Sequence, residues 1–169
     1  MFKNRLLQLR TRAAVKSNQS LRASIPYKQA LNVGLLFSVE DRKKHDAIKD
    51  FIKQLQQDGK KVTVLEYLPS KKDNYEFLFD FFTIHDLSFW GKINSPGTDQ
   101  FIETSFDYLF CIDMDANPLI QNVLARSKAK CRIGKFSTGD QAYFELMIEQ
   151  NGSVNNLIEN MYKYARQLK

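Results

Sequence analysis

The sequence predicts an α/β fold in which helices cover both faces of a mostly parallel sheet. Near-continuous apolar runs of strand length, such as residues 32–39, are typical of strands that are buried on both faces. Segments with apolar residues at helical spacing lie between these runs. Hydrophobic residues make up 43% of the 169 residues, and 13 Phe and 7 Tyr are among them. This content is sufficient for one sizeable core, and strands that alternate with helices indicate βαβ units.

The first predicted element is a basic helix over residues 2–23, a stretch that contains neither Pro nor Gly. One narrow face of this helix carries Phe2, Leu6, Leu9 and Ala13, and the far side carries Leu7, Ala14 and Val15. Ile25 and Pro26 should end the helix, because the residue before a proline is pushed out of the helical region. The predicted division of the chain is therefore a basic helix or arm over residues 1–28 and an α/β domain over residues 30–169.

The elements of the predicted domain follow one another in alternation. The strands are expected at 32–39, 62–68, 108–112, 131–136 and 143–148, with two further short strands at 77–83 and 87–90. Helices are expected over 42–58, where Gly59 is placed to cap the end, from Asn117 and Pro118 onwards, and from Gly152 and Ser153 to near the C terminus. This alternation predicts a single Rossmann-like domain.

The positive charge of the chain is concentrated at its N terminus. The seven basic residues among the first thirty have no acidic partner there, because the first carboxylate of the chain is Glu40. The remaining 139 residues hold 18 Lys and Arg against 19 Asp and Glu, so the predicted domain is nearly neutral. Such a segment indicates a polyanionic partner, either nucleic acid or an anionic membrane surface. The side chains expected to contact this partner are Lys3, Arg5, Arg10, Arg12, Lys16 and Arg22.

Two other hypotheses for the N-terminal segment remain open. The helix can be a structural element docked on the sheet or on a second subunit, with its charges merely solvated, and this is as well supported as polyanion binding. An Arg-rich, acid-free and Ser-bearing N terminus also resembles an organellar transit peptide.

Polar residues follow three of the predicted strands. In an open parallel sheet, ligands bind outside the carboxyl ends of the strands, so these residues are candidates for a ligand pocket. The pocket is predicted to include Ser38, Glu40, Asp41, Asn117, Ser137 and Thr138.

The Asp-x-Asp-x-Asn element at residues 113–117 allows several interpretations. A calcium loop of the EF-hand type is excluded, because Pro118 and Leu124 occupy the positions that require Gly and Glu. Asp113 and Asp115 resemble the nucleophile and acid/base pair of haloacid-dehalogenase-like phosphatases, although no later acidic pair follows. A metal-holding Asp-x-Asp of a nucleotide-sugar glycosyltransferase is a further alternative. The favoured interpretation is that Asp115 and Asn117 organise the turn into the next helix. If the protein is instead an enzyme, Asp113 and Asp115 are its candidate catalytic residues.

Other chemistry has little support in the sequence. The glycine-rich motifs that cradle dinucleotides and triphosphates are missing, and no cofactor or metal is predicted. His45 and His85 are the only histidines. His45 is expected to be exposed among charged residues and His85 to be structural, and the aromatic residues Phe81, Phe82, Phe89 and Trp90 are expected to form a hydrophobic wall.

The sequence contains no transmembrane segment, since no run approaches the roughly 18 apolar residues that a span needs. Cys111 and Cys131 lie in apolar runs, which favours buried free thiols and a reducing, cytoplasmic location.

The predicted domain resembles a family of short bacterial α/β proteins of unknown function. The residues that carry this resemblance are Asn32–Phe37, Asp86–Lys92, Phe106–Leu109 and Ala129–Gly134. A smaller part is similar to the N-terminal Rossmann-like domain of heptosyltransferase-type glycosyltransferases, namely 106–112, 123–127 and 129–134. Within these 169 residues there is neither a second Rossmann domain nor a glycine-rich turn after the first strand. The second resemblance therefore implies the fold and no catalytic residue.

Together these observations favour a binding or accessory protein over an enzyme. Its basic N-terminal helix would contact phosphates electrostatically, while the domain would supply a second interaction. The alternative is a small enzyme, either metal-dependent or a degenerate glycosyltransferase-like domain, with a site at the carboxyl ends of the strands.

Overall fold

The computed structural model describes residues 1–169 and contains one six-stranded sheet in which all strands are parallel. The helices are α1 (Phe2–Ser17), α2 (Arg42–Gln57), α3 (Pro96–Glu103), α4 (Pro118–Arg126) and α5 (Val154–Ala165). The strands are β1 (Asn32–Ser38), β2 (Lys61–Tyr67), β3 (Asp80–Phe82), β4 (Tyr108–Cys111), β5 (Cys131–Lys135) and β6 (Leu146–Ile148). Their order is β3-β2-β1-β4-β5-β6, which is the doubly wound order of Rossmann folds. The predicted α/β class is confirmed.

The two faces of the sheet carry separate hydrophobic clusters. In β1, Leu35 and Phe37 face the cluster built with α2 and α5, whereas Leu36 faces the cluster built with α3 and α4. All three side chains are buried, because β1 lies in the middle of the sheet between β2 and β4. A central parallel strand therefore reads as a continuous apolar run.

The helix caps that the sequence predicts are present. At the end of α2, Gly59 has a φ of +80°, and the backbone N–H of Lys60 donates to the carbonyl of Leu55 at 3.0 Å. This left-handed turn is a Schellman cap, which favours glycine. At the start of α4, the Asn117 side chain accepts from the backbone N–H of Leu119 at 2.8 Å. These caps set where both helices stop and start.

Helix α1 is shorter than predicted, since it ends at Ser17 rather than at residue 23. Asn18 leaves the helical region, and its amide donates to the carbonyls of Ala125 and Ser127 at 2.9 and 3.0 Å. Its Oδ1 accepts from the backbone N–H of Ser20 at 3.0 Å. An Asn side chain competes in this way with helical hydrogen bonding, so the helix stops where Asn18 finds better partners on the end of α4.

Residues 70–105 differ most from the prediction. The strand expected at 77–83 is limited to Asp80–Phe82, and the strand expected at 87–90 is a turn closed by the single antiparallel bridge between Leu87 and Ile93. Helix α3 was not predicted. Its start carries recognisable signals, because Ser95 accepts from the N–H of Thr98 at 3.3 Å and Pro96 follows the cap.

Helix α1 lies on α4 as an outer layer of the molecule. Its inner face is the one that carries Leu7 and Thr11, which are 2% and 5% exposed. The Asn122 amide of α4 donates to the Thr11 hydroxyl at 2.9 Å, so a buried hydrogen bond joins the two helices. The face with Phe2 and Leu9 remains outside, and both side chains are exposed.

None of the helices combines the length and the apolar character that crossing a bilayer requires.

Candidate functional site

The strand order reverses between β1 and β4, and a buried polar cluster occupies this point. The Asp113 carboxylate accepts from the backbone N–H and the hydroxyl of Ser38, both at 2.8 Å. The Lys44 ammonium donates to Asp113 at 2.7 Å and to Glu40 at 2.7 Å. Lys44 is only 3% exposed, although it is a charged residue in the first turn of α2. Glu40 and Asp113 therefore converge on one buried cation, and Ser38 holds Asp113 in place.

The protonation states within this cluster follow from burial and charge. Burial raises the pKa of Asp113, while Lys44 and the hydrogen bonds from Ser38 oppose that rise. Burial also works against the charged form of Lys44, yet the carboxylates of Asp113 and Glu40 raise its pKa above the ordinary value. Lys44 thus keeps its proton at neutral pH and fills the crevice in which open α/β sheets hold ligands.

Asp41, the remaining predicted pocket residue of the first loop, has a structural role. Its side chain accepts from the backbone N–H of Lys44 at 2.8 Å and caps α2. A carboxylate at a helix start satisfies an otherwise unpaired donor and complements the helix dipole.

A cavity with a partly polar lining lies one strand further at this end of the sheet, above β4 and β5. It encloses about 360 Å³ and is lined by the loop after each strand and by the first turns of α4. Three of the predicted pocket residues line it, namely Asn117, Ser137 and Thr138, together with the candidate catalytic residues Asp113 and Asp115. This volume is at the lower end of the range of small-molecule sites.

Further polar residues of this cavity were missed by the sequence interpretation. Gln121 donates to the Asp140 carboxylate across the cavity wall at 2.8 Å, and Lys135 donates to the carbonyl of Met114 at 3.1 Å. No pattern in the sequence links Gln121 to Asp140, because they lie on different elements. Half of the residues that line the cavity are hydrophobic, and the polar groups of Gln121, Asp140 and Lys135 are hydrogen-bonded within the protein.

The candidate catalytic pair lacks the geometry of a metal or nucleophilic site. Both oxygens of Asp113 already accept hydrogen bonds, whereas Asp115 is exposed to solvent. No group of three or more His, Cys, Asp or Glu side chains is placed to hold a metal ion. Burial raises the pKa of Cys131 to about 11 and that of Cys111 well above its ordinary value, so both thiols are protonated and unreactive at neutral pH.

The two histidines have the opposite environments to those expected. His45 is 5% exposed and packs against the rings of Tyr75 and Phe79, and burial lowers its pKa. His85 is exposed in a short turn and its side chain makes no hydrogen bond. The prediction was wrong because the charged sequence around His45 gave no sign of the segment 74–79, which folds over α2 and covers it.

The six basic residues assigned to polyanion binding fall into two groups. Arg22 donates to the carbonyls of Ser127 and Ala129 and ties the chain to the end of α4, while Arg10 donates to the carbonyl of Trp90 at 2.7 Å. The other four form no ion pair and no side-chain hydrogen bond, and they are Lys3, Arg5, Arg12 and Lys16. We call these four residues the free cations of α1.

An exposed aromatic turn lies against α1 and was not predicted. Phe89 and Trp90 are 62% and 66% exposed, so they do not form the hydrophobic wall that was expected. Phe2 stacks on Phe89 with ring centroids 5.0 Å apart. Gly91 has a φ of +71°, and a Cβ there would lie 2.5 Å from the backbone nitrogen of Leu7. Only glycine permits this close approach, which we take as the signal that the turn docks on another backbone. We call residues 88–92 the aromatic turn.

Comparison with known proteins identifies a family. A model described as a family of unknown function (DUF6913) matches residues 3–168. Neither curated proteins nor solved structures gave a match. The similarity to heptosyltransferase-type domains therefore stays a resemblance of local pattern. The match covers α1 as well as the α/β domain, and the chain belongs to the DUF6913 family of unknown function.

Proposed function

We propose that this protein is a binding module, not an enzyme, and that it attaches to a polyanion through the outer surface of α1. The observation that carries the proposal is the set of four free cations on a helix that is held rigidly against the domain. Other exposed lysines of the chain also lack an ion pair, but the free cations of α1 are concentrated on one helix, and no carboxylate precedes Glu40 in the sequence. Unpaired cations on a single helix favour an external anionic partner.

The docking of α1 gives these charges a fixed arrangement. Thr11, Asn18 and Arg22 are all bonded to α4 or to the residues that follow it, so α1 does not swing freely. A preorganised surface loses less conformational entropy on binding than a flexible arm does. Binding through this surface would therefore be stronger than the same cations would give on an unfolded segment.

The expected strength can be estimated from the charges. Each Lys or Arg close to an anionic surface contributes about 1 kcal/mol, so the four free cations supply about 4 kcal/mol at moderate salt. Binding should weaken steeply as salt rises, because released counterions drive the association. The enzyme hypothesis has no comparable support, since Asp113 is hydrogen-bonded through both oxygens.

The test replaces the free cations with neutral residues of similar length. We expect a variant with Lys3→Gln, Arg5→Gln, Arg12→Gln and Lys16→Gln to lose at least about tenfold in affinity for a polyanion. The probes are a fluorescent single-stranded RNA and vesicles that contain phosphatidylglycerol. Affinity should be measured by fluorescence anisotropy for the RNA and by sedimentation for the vesicles, at several salt concentrations.

A matched control removes the same charge from other parts of the surface. It replaces four exposed lysines that form no ion pair, namely Lys43, Lys61, Lys72 and Lys163. The control should keep the affinity of the parent protein. Equal affinity in all three proteins, or equal loss in both variants, would contradict a specific role for α1.

A further inference from the structure

We infer that the polyanion is the anionic lipid surface of a membrane, and that α1 and the aromatic turn insert apolar side chains into it. The inference rests on the proposed function and adds the identity of the partner. It also assigns a binding role to Phe2, Leu9, Phe89 and Trp90.

The outer side of α1 carries an apolar stripe that the fold leaves uncovered. The stripe consists of Phe2, Leu6, Leu9 and Ala13, and we call it the outer stripe. Phe2 and Leu9 are 53% and 58% exposed, and Met1 beside them is 98% exposed. The helix packs on α4 through the opposite face, and the aromatic turn borders the stripe only at Phe2 and Leu6, so Leu9 stays open to solvent. An apolar patch of this extent on a protein surface marks an interaction site.

The aromatic turn enlarges this patch. Phe89 contacts Phe2, and its ring centroid lies 5.3 Å from that of Trp90. The Arg10 side chain donates to the carbonyl of Trp90 at 2.7 Å and holds the turn beside the helix. The two aromatic side chains therefore extend the outer stripe sideways into one continuous surface. Trp and Phe are side chains that favour the boundary between lipid headgroups and acyl chains.

Cations flank the outer stripe on both sides. At 100° per residue, Arg5, Arg12 and Lys16 lie on one side, and Lys3 and Arg10 lie on the other. Lys92 adds an exposed cation at the aromatic turn. A central apolar stripe between two rows of basic side chains is the arrangement of helices that lie in a membrane interface, where the long side chains reach the headgroups. This charge pattern complements anionic lipid.

The same surface fits RNA less well. Leu9 is an aliphatic member of the outer stripe, where it gains nothing from phosphates or from stacked bases. Base stacking requires an open ring face, yet Phe2 and Phe89 are tilted against each other at a centroid distance of 5.0 Å. Aliphatic and aromatic side chains both gain free energy when they leave water for a lipid interface.

Trp90 provides a direct probe, because it is the only tryptophan of the chain. We expect its fluorescence to shift to the blue when the full-length protein is mixed with vesicles in which about a third of the lipid is phosphatidylglycerol. Vesicles of pure phosphatidylcholine should leave the spectrum unchanged. Brominated acyl chains in the anionic vesicles should quench the emission, since the indole would lie among them.

A pair of variants separates insertion from charge. Phe2→Ser with Leu9→Ser keeps Trp90 and every cation, and it should weaken vesicle binding about tenfold or more. Phe77→Ser with Leu78→Ser is the matched control, because these side chains are 75% and 52% exposed on the loop over α2. The control should bind vesicles as the parent protein does.

The outcomes distinguish this inference from the proposed function. If RNA binds through the free cations and anionic vesicles do not bind, the lipid inference is overturned and the proposed function stands. If neither probe binds, both fall. Vesicle binding without a change in Trp90 emission, with the serine variant unaffected, would also overturn insertion. Insertion would also be overturned if the protein formed a dimer in solution and the Phe2→Ser and Leu9→Ser changes dissociated it. A second copy of the chain would then cover the outer stripe.

Discussion

Lys44 illustrates what a single residue gains from its tertiary position. In the sequence it belongs to a charged stretch that looks solvated, and in the structure its ammonium lies between Glu40 and Asp113. A buried charge needs a partner, because an unpaired one loses its hydration without compensation. The predicted pocket residues Ser38 and Glu40 lie in one hydrogen-bonded cluster with the candidate catalytic residue Asp113, and the Lys44 cation that links Glu40 to Asp113 was not predicted.

Breaking this cluster should be costly. We expect Lys44→Met to reduce the free energy of unfolding by about 3–5 kcal/mol, since it leaves the Asp113 carboxylate buried without its cation. The measurement is urea denaturation followed by circular dichroism. The double variant with Asp113→Asn should recover much of the loss, because its side chain is neutral and its oxygen still accepts from Ser38. Equal stability of the single and double variants would show that charge is not the cause.

Glu66 is a second buried titratable residue, and no cation or hydrogen-bond donor pairs with its Oε1. The residue is 1% exposed, and its Oε1 forms no hydrogen bond. Burial raises the pKa of Glu66 from 4.5 to about 7. Leu65 and Tyr67 point to the other face of the sheet, and the buried Phe37 of β1 lies beside Glu66 in register. No nearby cation offsets the burial, so the carboxyl group is protonated over much of the acidic range.

This raised pKa predicts a pH-dependent stability. The folded protein holds the proton up to about pH 7, whereas the unfolded chain releases it near 4.5, so the contribution of Glu66 is greatest at low pH and is lost as pH rises through that window. Glu66→Gln should therefore gain stability relative to the parent as pH rises from 5 to 8, by up to about 3 kcal/mol. Urea titrations of both proteins at several pH values would measure the difference. A difference that does not vary with pH would contradict the assignment.

The spacing of apolar residues predicts helix α1 but does not predict which of its faces packs against the domain. It has apolar residues on two faces, and the sequence does not reveal which face meets the domain. The outer stripe is the longer one, yet the Leu7 face packs, because Thr11 and Leu7 fit the side of α4 and the close approach of Gly91. The choice of face depends on Gly91 and Asn122, which are distant from α1 in the chain.

Deletion of residues 1–28 should show how firmly this element belongs to the fold. We expect the truncated chain to lose about 3–5 kcal/mol of unfolding free energy, because it uncovers α4 and removes the buried Leu7 and Tyr27. Chemical denaturation of the full and truncated chains measures this loss. Unchanged stability would indicate that α1 contributes nothing to the domain. A truncated chain that fails to bind could lack the cations or could be unfolded, and the variants with Gln in place of the free cations avoid this ambiguity.

The segment between β2 and β4 shows which elements the sequence reveals and which it hides. The start of α3 carries Ser95 and Pro96, and these capping signals are as clear as those of α4. The strand predicted at 87–90 failed because Phe89 and Trp90 have high β-propensity and are in fact displayed on a turn. β-propensity is a property of each side chain, whereas the exposure of Phe89 and Trp90 depends on which parts of the chain pack around them.

At the scale of the whole molecule, the apolar runs were sufficient to predict the parallel sheet. A strand that helices cover on both faces of the sheet is apolar along nearly its whole length, so β1 and β4 can be recognised in the sequence as apolar runs. The alternation with helices then restricts the topology, since crossovers between parallel strands are right-handed. The edge strands β3 and β6, of three residues each, leave a weaker pattern.

The sequence by itself determined the α/β class, the central strands, the caps of α2 and α4, and the separation of positive charge from the nearly neutral domain. These features depend on local chemistry, which short stretches of residues record. Only the tertiary structure decided that Lys44 fills the crevice beside Asp113, that α1 turns its outer stripe to solvent, and that Phe89 and Trp90 join this stripe. Each of these features requires contact between residues that are distant in the chain, and a single sequence does not record such contacts.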